Sequence, residues 1–160
     1  MKTIRKTIKV GVVGCGYWGP NLIRNLRQAG DCQLMMICDT SEQRLRHMRR
    51  LHPDVTMTDR FEDLLKSPQL DAIVIATPVR FHFDMAKASL KAGKHTFIEK
   101  PMARTAAESE ELVALAQHQG LVLMVGHTFL FSPAVRRMKE ITVASSPIRG
   151  VIDDQTPKME

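Results

Sequence analysis

Residues 8–19 read IKVGVVGCGYWG, a β-branched apolar run that passes directly into three glycines spaced G-x-G-x-x-G. The run predicts a strand over 8–13 that stops at Gly14. The segment 21–29 carries Leu22, Ile23 and Leu26 at helical spacing and ends before Gly30, so a helix follows the glycines. Strand, glycine turn and helix in that order have a physical logic. Gly14 permits a tight turn, Gly16 lets a ligand approach the backbone, and Gly19 lets the helix start close to the strand. The helix start offers N–H groups and the positive end of a dipole, which suits a pyrophosphate.

Twenty positions past Gly19, at the end of a second apolar run over 33–38, stands Asp39. A carboxylate there accepts hydrogen bonds from a ribose diol and repels a 2′-phosphate. The expected cofactor is therefore NAD, with NADP disfavoured, and Arg44 nearby softens that preference.

The remaining chain alternates in the same way. Ser41 caps a helix with Leu45, Met48 and Leu51 on one side, ended by Pro53, and 55–57 is a short strand. Residues 61–66 read as a short helix, 72–76 (AIVIA) as a buried strand ended by Thr77-Pro78, and 81–92 as a helix stopped by Gly93. Residues 95–98 form a strand ended by Glu99-Lys100-Pro101. Thr105 and Glu108 have capping-box spacing for a helix to about 118. A strand over 121–125 and a helix from Ser132-Pro133 to about 141 complete the pattern, and 148–152 is a further strand candidate. Short apolar strands alternating with helices predict an α/β fold: a doubly wound Rossmann sheet of parallel strands with helices on both faces.

Composition excludes other classes. The chain has 160 residues, 44% apolar and 25% charged, an ordinary globular mixture. No apolar run approaches the roughly 20 residues needed to span a bilayer, so no membrane partner is expected. The net charge of +6 accompanies no nucleic-acid motif, so no nucleic-acid partner is expected. Residues 10–15 are interrupted by glycines and precede no cleavage site, which argues against a secretory signal. Cys15, Cys32 and Cys38 form no CxxC pair, no metal site is expected, and reduced thiols point to the cytoplasm.

In open parallel sheets, ligands bind beyond the carboxyl ends of the strands. Thr77, Pro78, Glu99, Lys100 and Pro101 fall on that edge, with His82 just after them. A lysine beside a cofactor can share the proton of a substrate hydroxyl. It can equally be a surface residue paired with Glu99, and His82 can equally be a packing histidine. His127 leaves the same edge of the last strand.

At these residues the chain resembles the N-terminal domain of the glucose–fructose oxidoreductase / inositol dehydrogenase / MocA family of sugar dehydrogenases. The resemblance rests on GVVGCGYWGPNLIRNL (11–26), CDTSEQRL (38–45), DAIVIATPVRFHFDMAKASLKAGKHTFIEKPMA (71–103) and VGHTFLFSPAVRRMKE (125–140). The GYWGPN form resembles a branch acting on UDP-activated amino sugars or their uronates. The resemblance implies that Gly14, Gly16, Tyr17, Trp18, Gly19 and Asp39 hold the cofactor. It also implies that Thr77, Pro78 and His82 line the nicotinamide side, that Glu99 and Lys100 also contact the cofactor, and that Lys100 acts at the carbinol with Glu99 and Pro101 setting its position.

Family members run to about twice this length, a size consistent with two domains. The expected organisation is a dinucleotide-binding domain over 1–142 and a tail over 143–160 that is at most a truncated start of the family's C-terminal α/β domain; that domain, which carries the substrate pocket, is expected to be absent from these 160 residues. Two functions follow. One is an NAD-dependent oxidoreductase, or its cofactor half, acting on a sugar or nucleotide sugar, with homo-oligomers formed through the second domain. The other is a non-catalytic NAD-binding module.

Overall fold

The computed structural model describes residues 7–144, and the apolar runs of the sequence become strands of one sheet. In chain order the elements are β1 (Ile8–Val13), α1 (Gly19–Gln28), β2 (Cys32–Cys38), α2 (Glu42–Leu51), β3 (Thr56–Thr58) and α3 (Phe61–Lys66). Then come β4 (Ala72–Ile75), a 3-10 turn (Val79–Phe81), α4 (His82–Lys91), β5 (His95–Ile98), α5 (Ala106–His118) and β6 (Leu123–Val125). The strands are all parallel and lie in the order β3-β2-β1-β4-β5-β6. This is the doubly wound Rossmann arrangement, whose strand order reverses between β1 and β4.

Both faces of the sheet are covered. Ile23 of α1 with Leu45 and Met48 of α2 pack on Val10, Val12, Ile37 and Val74. Leu64 of α3, Ala86 and Leu90 of α4, and Leu112 and Ala116 of α5 pack on Val13, Ile73, Ile75 and Ile98. Each fully buried aliphatic side chain contributes about 1.5–3 kcal/mol, so these two layers hold the strand ends in place.

Strict alternation would put Leu34 and Ile37 on opposite faces, yet both belong to the α1/α2 layer. The cause is a bulge: Val10 pairs with Leu34 while Gly11 pairs with Met36, so Met35 is the extra residue. Gly11 has its own reason for lacking a side chain. A Cβ there would sit 2.8 Å from Leu70 Cδ1 and 3.1 Å from Leu64 Cδ2, which close directly onto β1.

Several boundaries differ from the sequence expectation by one to three residues. α1 begins at Gly19 rather than residue 21, with Pro20 in its first turn, where a missing N–H costs nothing. A 3-10 turn precedes α4, so the helix proper starts at His82. β6 starts at Leu123 because the Leu121 N–H closes back onto Ala116 O (2.9 Å), past Gly120 at φ +63°. The capping box of α5 is shifted. Thr105 Oγ1 accepts from the Glu108 N–H (3.2 Å), but the Glu108 carboxylate accepts from the Arg104 N–H (2.9 Å), one residue upstream.

The described residues form two compact units, one ending at Gly126 and one beginning at His127. The second contains a 3-10 turn (Thr128–Phe131) and α6 (Pro133–Ala144), with Pro133 at the first helical position after Ser132. The strand expected over 148–152 lies outside the described residues, as does all of the expected 143–160 tail beyond residue 144.

Candidate functional site

The carboxyl ends of β1, β2 and β4 open on a cleft of about 730 Å³ at the point where the strand order reverses. Gly14, Gly16, Tyr17 and Trp18 form one wall, Asp39, Thr40 and Arg44 one end, and Thr77, Pro78, Arg80 and Phe81 the facing wall.

The glycine wall is built by close backbone approach. Gly14 has φ +99°, and a Cβ there would lie 2.6 Å from Ala76 O. Its N–H donates to Cys38 O (2.8 Å), which ties the turn to β2. Gly19 packs so tightly on the turn that a Cβ would fall 1.9 Å from Gly14 O. Gly16 is the opposite case: a Cβ would meet nothing within 4 Å, so the space beside it belongs to the cleft. Behind this wall α1 begins with Trp18 as N-cap residue, with no side-chain cap and no acidic residue in its first turn. No side chain of this first turn neutralises its positive end, an arrangement suited to an anion.

Asp39 is 5% exposed and fully engaged. Its Oδ2 accepts from the Cys15 N–H (2.6 Å) and its Oδ1 from the Ser41 N–H (2.8 Å). The Arg44 guanidinium stands 3.6 Å from Oδ2. Backbone donors make a buried carboxylate tenable here and aim it. Burial, and then the Asp39 charge, push the Cys15 and Cys38 thiols up to about 12. Both are protonated at neutral pH and supply no thiolate to the site.

On the facing wall Arg80 lies over the Phe81 ring, 4.6 Å from its centroid, and the Thr77 hydroxyl donates to Met85 Sδ (3.6 Å). His82 does not reach the cleft. It is 1% exposed, with Nε2 2.7 Å from Thr77 O and Nδ1 2.8 Å from Pro101 O. It ties the segment after β4 to the segment after β5, which is a positioning role.

Glu99 and Lys100 stand at the end of β5 and are not among the residues lining the cleft. Glu99 Oε2 accepts from the Lys100 backbone N–H (3.2 Å), and the Lys100 side chain is exposed. Glu99 Oε1 is buried against Gly126, where a Cβ would lie 3.0 Å away. It is the one buried side-chain polar atom among the described residues that lacks a hydrogen-bond partner.

The structure thus brings Gly14, Gly16, Tyr17, Trp18, Asp39, Thr77 and Pro78 together around one space, with Gly19 and His82 bracing it from below. Thr40, Arg80, Phe81 and Met85 also line it and were missed by the sequence reading. Arg80 and Phe81 follow Thr77-Pro78-Val79 in the chain and reach the cleft from the 3-10 turn before α4, for which the local spacing carried no signal. His127 opens the second unit, as N-cap of its 3-10 turn. Among the described residues no group of three His, Cys, Asp or Glu is placed to hold a metal ion. No described helix is long and apolar enough to cross a membrane.

Residues 8–127 match the family model GFO_IDH_MocA, described as an oxidoreductase family with an NAD-binding Rossmann fold. The chain is 33% identical over 121 residues to scyllo-inositol 2-dehydrogenase (NADP(+)) IolW of Bacillus subtilis (strain 168), covering 76% of the chain and 33% of that protein. Among solved structures, scyllo-inositol dehydrogenase from Lactobacillus casei with bound cofactor NAD(H) and scyllo-inositol superposes with a TM-score of 0.77. Its identity is 27%, over 85% of this chain and 41% of that one. Biliverdin reductase from Synechocystis sp. PCC 6803, in complex with biliverdin and NADP+, gives a TM-score of 0.79 at 29% identity, over 84% of this chain and 42% of that one. The chain spans about a third to two fifths of the length of these relatives.

Proposed function

The chain belongs to the GFO_IDH_MocA oxidoreductase family, with its NAD-binding Rossmann fold, and from that premise we propose that it forms the cofactor-binding part of a sugar or nucleotide-sugar dehydrogenase. The reaction is hydride transfer between a nicotinamide and a secondary hydroxyl. Bound nicotinamide supplies the hydride acceptor or donor. The observation that carries the reading is the open space beside Gly16, flanked by an α1 start without cap or acid and by the buried Asp39.

The chain's own residues take these roles. Gly14, Gly16, Tyr17, Trp18 and Gly19 cradle the pyrophosphate with backbone N–H groups. Asp39 accepts from the adenosine ribose diol, and its charge favours NAD over NADP. Thr77 and Pro78 form the facing wall, held by His82. Lys100, set by Glu99, holds the proton of the carbinol at Nζ when a substrate occupies the neighbouring strand end. The substrate pocket and any oligomer contacts belong to the length that relatives have and this chain does not span. Free thiols at Cys15, Cys32 and Cys38 suit a cytoplasmic setting.

A non-catalytic NAD-binding module is the second reading. It is favoured by Lys100, which is exposed and is not among the residues lining the cleft. NADH fluorescence titration tests both: saturable binding is expected, and no response sinks them together. Turnover of a sugar or nucleotide sugar by the 160-residue chain, lost on Lys100→Ala with NADH affinity retained, selects the first.

A further inference from the structure

The two helical layers on the sheet carry opposite charge. α1 and α2, which pack on the same face, hold six arginines (Arg24, Arg27, Arg44, Arg46, Arg49 and Arg50) and one carboxylate, Glu42. α3, α4 and α5, on the other face, hold six carboxylates and three lysines. The positive charge of these helices is therefore gathered on one side of the sheet. That side adjoins the cleft: the N-cap residue of α2, Ser41, donates its N–H to Asp39 Oδ1 (2.8 Å), and Thr40 and Arg44 line the Asp39 end.

Arg46, Arg49 and Arg50 are exposed, and none forms an ion pair with another described residue. Arg46 lies three and four positions before Arg49 and Arg50, spacings at which like charges destabilise a helix. The helix dipole offsets this at Arg49 and Arg50, in the last turn, and not at Arg46. The cluster is thus one that the stability of α2 does not call for. Distance decides what it can act on. At 1.5 Å per residue, Arg46, Arg49 and Arg50 stand about 3, 7.5 and 9 Å along α2 from Arg44 at the cleft. All three fall inside the screening length of about 10 Å that holds in 0.1 M salt.

We propose that the α1/α2 layer is an approach surface for the anionic dinucleotide, on which Arg46, Arg49 and Arg50 raise the rate of arrival at the Asp39 end of the cleft without touching the seated ligand. This rests on the reading of the cleft as the dinucleotide site. Charge of one sign beside a cleft raises the local concentration of an oppositely charged ligand and its on-rate, an effect that fades with ionic strength. The three arginines are not among the residues lining the cleft, so they speed capture and leave release unchanged. The carboxylates of the other layer repel the same pyrophosphate, which makes the approach one-sided.

Stopped-flow NADH fluorescence on the chain tests this with two double variants that change the net charge equally. Arg46→Gln with Arg49→Gln removes two charges from α2, and Lys66→Gln with Lys91→Gln removes two from the ends of α3 and α4 in the other layer. All four positions are exposed, so both variants keep the fold, which circular dichroism checks. In about 0.1 M salt the arginine variant is expected to bind NADH about twofold or more slowly than the unaltered chain, with an off-rate within about 1.5-fold. The lysine variant should stay within about 1.3-fold in on-rate, and all three should converge near 1 M salt, where the screening length is about 3 Å. Equal slowing in the two variants, an unchanged on-rate in the arginine variant, or a change confined to its off-rate overturns the approach surface and leaves the dinucleotide reading intact. Failure of the unaltered chain to bind NADH overturns the dinucleotide reading and the approach surface with it.

Discussion

The backbone N–H of Cys15, between the first two glycines of the turn, donates to Asp39 Oδ2 at 2.6 Å. The carboxylate proposed to read the ribose is therefore also the clamp that holds the phosphate loop against β2. Its second oxygen takes the Ser41 N–H at the start of α2, so one side chain sets the spacing of two loops.

Asp39→Ala should consequently cost both stability and binding. Each buried N–H left without an acceptor costs about 1–3 kcal/mol, so thermal unfolding should move down by several degrees as NADH affinity falls. Asp39→Asn keeps an acceptor oxygen but not the charge. It should lose less stability and shift cofactor preference toward NADP+. Melting curves and cofactor titrations on the two variants separate clamp from reader.

Gly16→Ala and Gly19→Ala should behave oppositely. A methyl at Gly16 meets no protein atom within 4 Å, so the melting temperature should stay close to that of the unaltered chain while NADH binding is lost. A methyl at Gly19 falls 1.9 Å from Gly14 O, so the α1 start must move and stability must drop. A Gly16→Ala chain that binds NADH normally would remove the cradle from the proposal.

His82→Ala removes a fully buried ring from between Thr77 O and Pro101 O. The cavity and the carbonyl that loses its ring N–H donor together should cost about 3 kcal/mol or more, measurable by urea unfolding. A neutral substitution would mean that the segments after β4 and β5 are held by other contacts.

Stability should also fall at alkaline pH. The Cys15 and Cys38 thiols are raised to about 12 from an ordinary 9.0, chiefly by burial. Well below pH 9 both folded and unfolded thiols are protonated and make no pH-dependent contribution. As pH rises from about 9 toward 12 only the unfolded chain releases these protons, so unfolding becomes easier. Cys15→Ala should flatten the pH dependence of the urea midpoint over that window, and an unchanged slope would contradict the assignment.

What was legible in the sequence was what depends on a few neighbouring residues. The limits of β1, α3 and β5 follow from the glycine or proline that ends each run, and the distance from Gly19 to Asp39 follows from one strand–helix–strand unit. What was hidden depends on partners distant in the chain. The bulge at Met35 arises from pairing β2 with β1, and the missing side chain of Gly11 answers to Leu64 and Leu70. The burial of His82 depends on acceptors 5 and 19 residues away. Arg80 and Phe81 join the cleft only because the chain makes a 3-10 turn before α4. Local spacing cannot report such choices.

The most direct test of the central claim is calorimetric titration of the folded 160-residue chain with NAD+. The account predicts a saturable heat with one dinucleotide per chain, abolished by Gly16→Val while the circular dichroism spectrum is retained. A flat titration, or equal binding by the folded Gly16→Val chain, would contradict it.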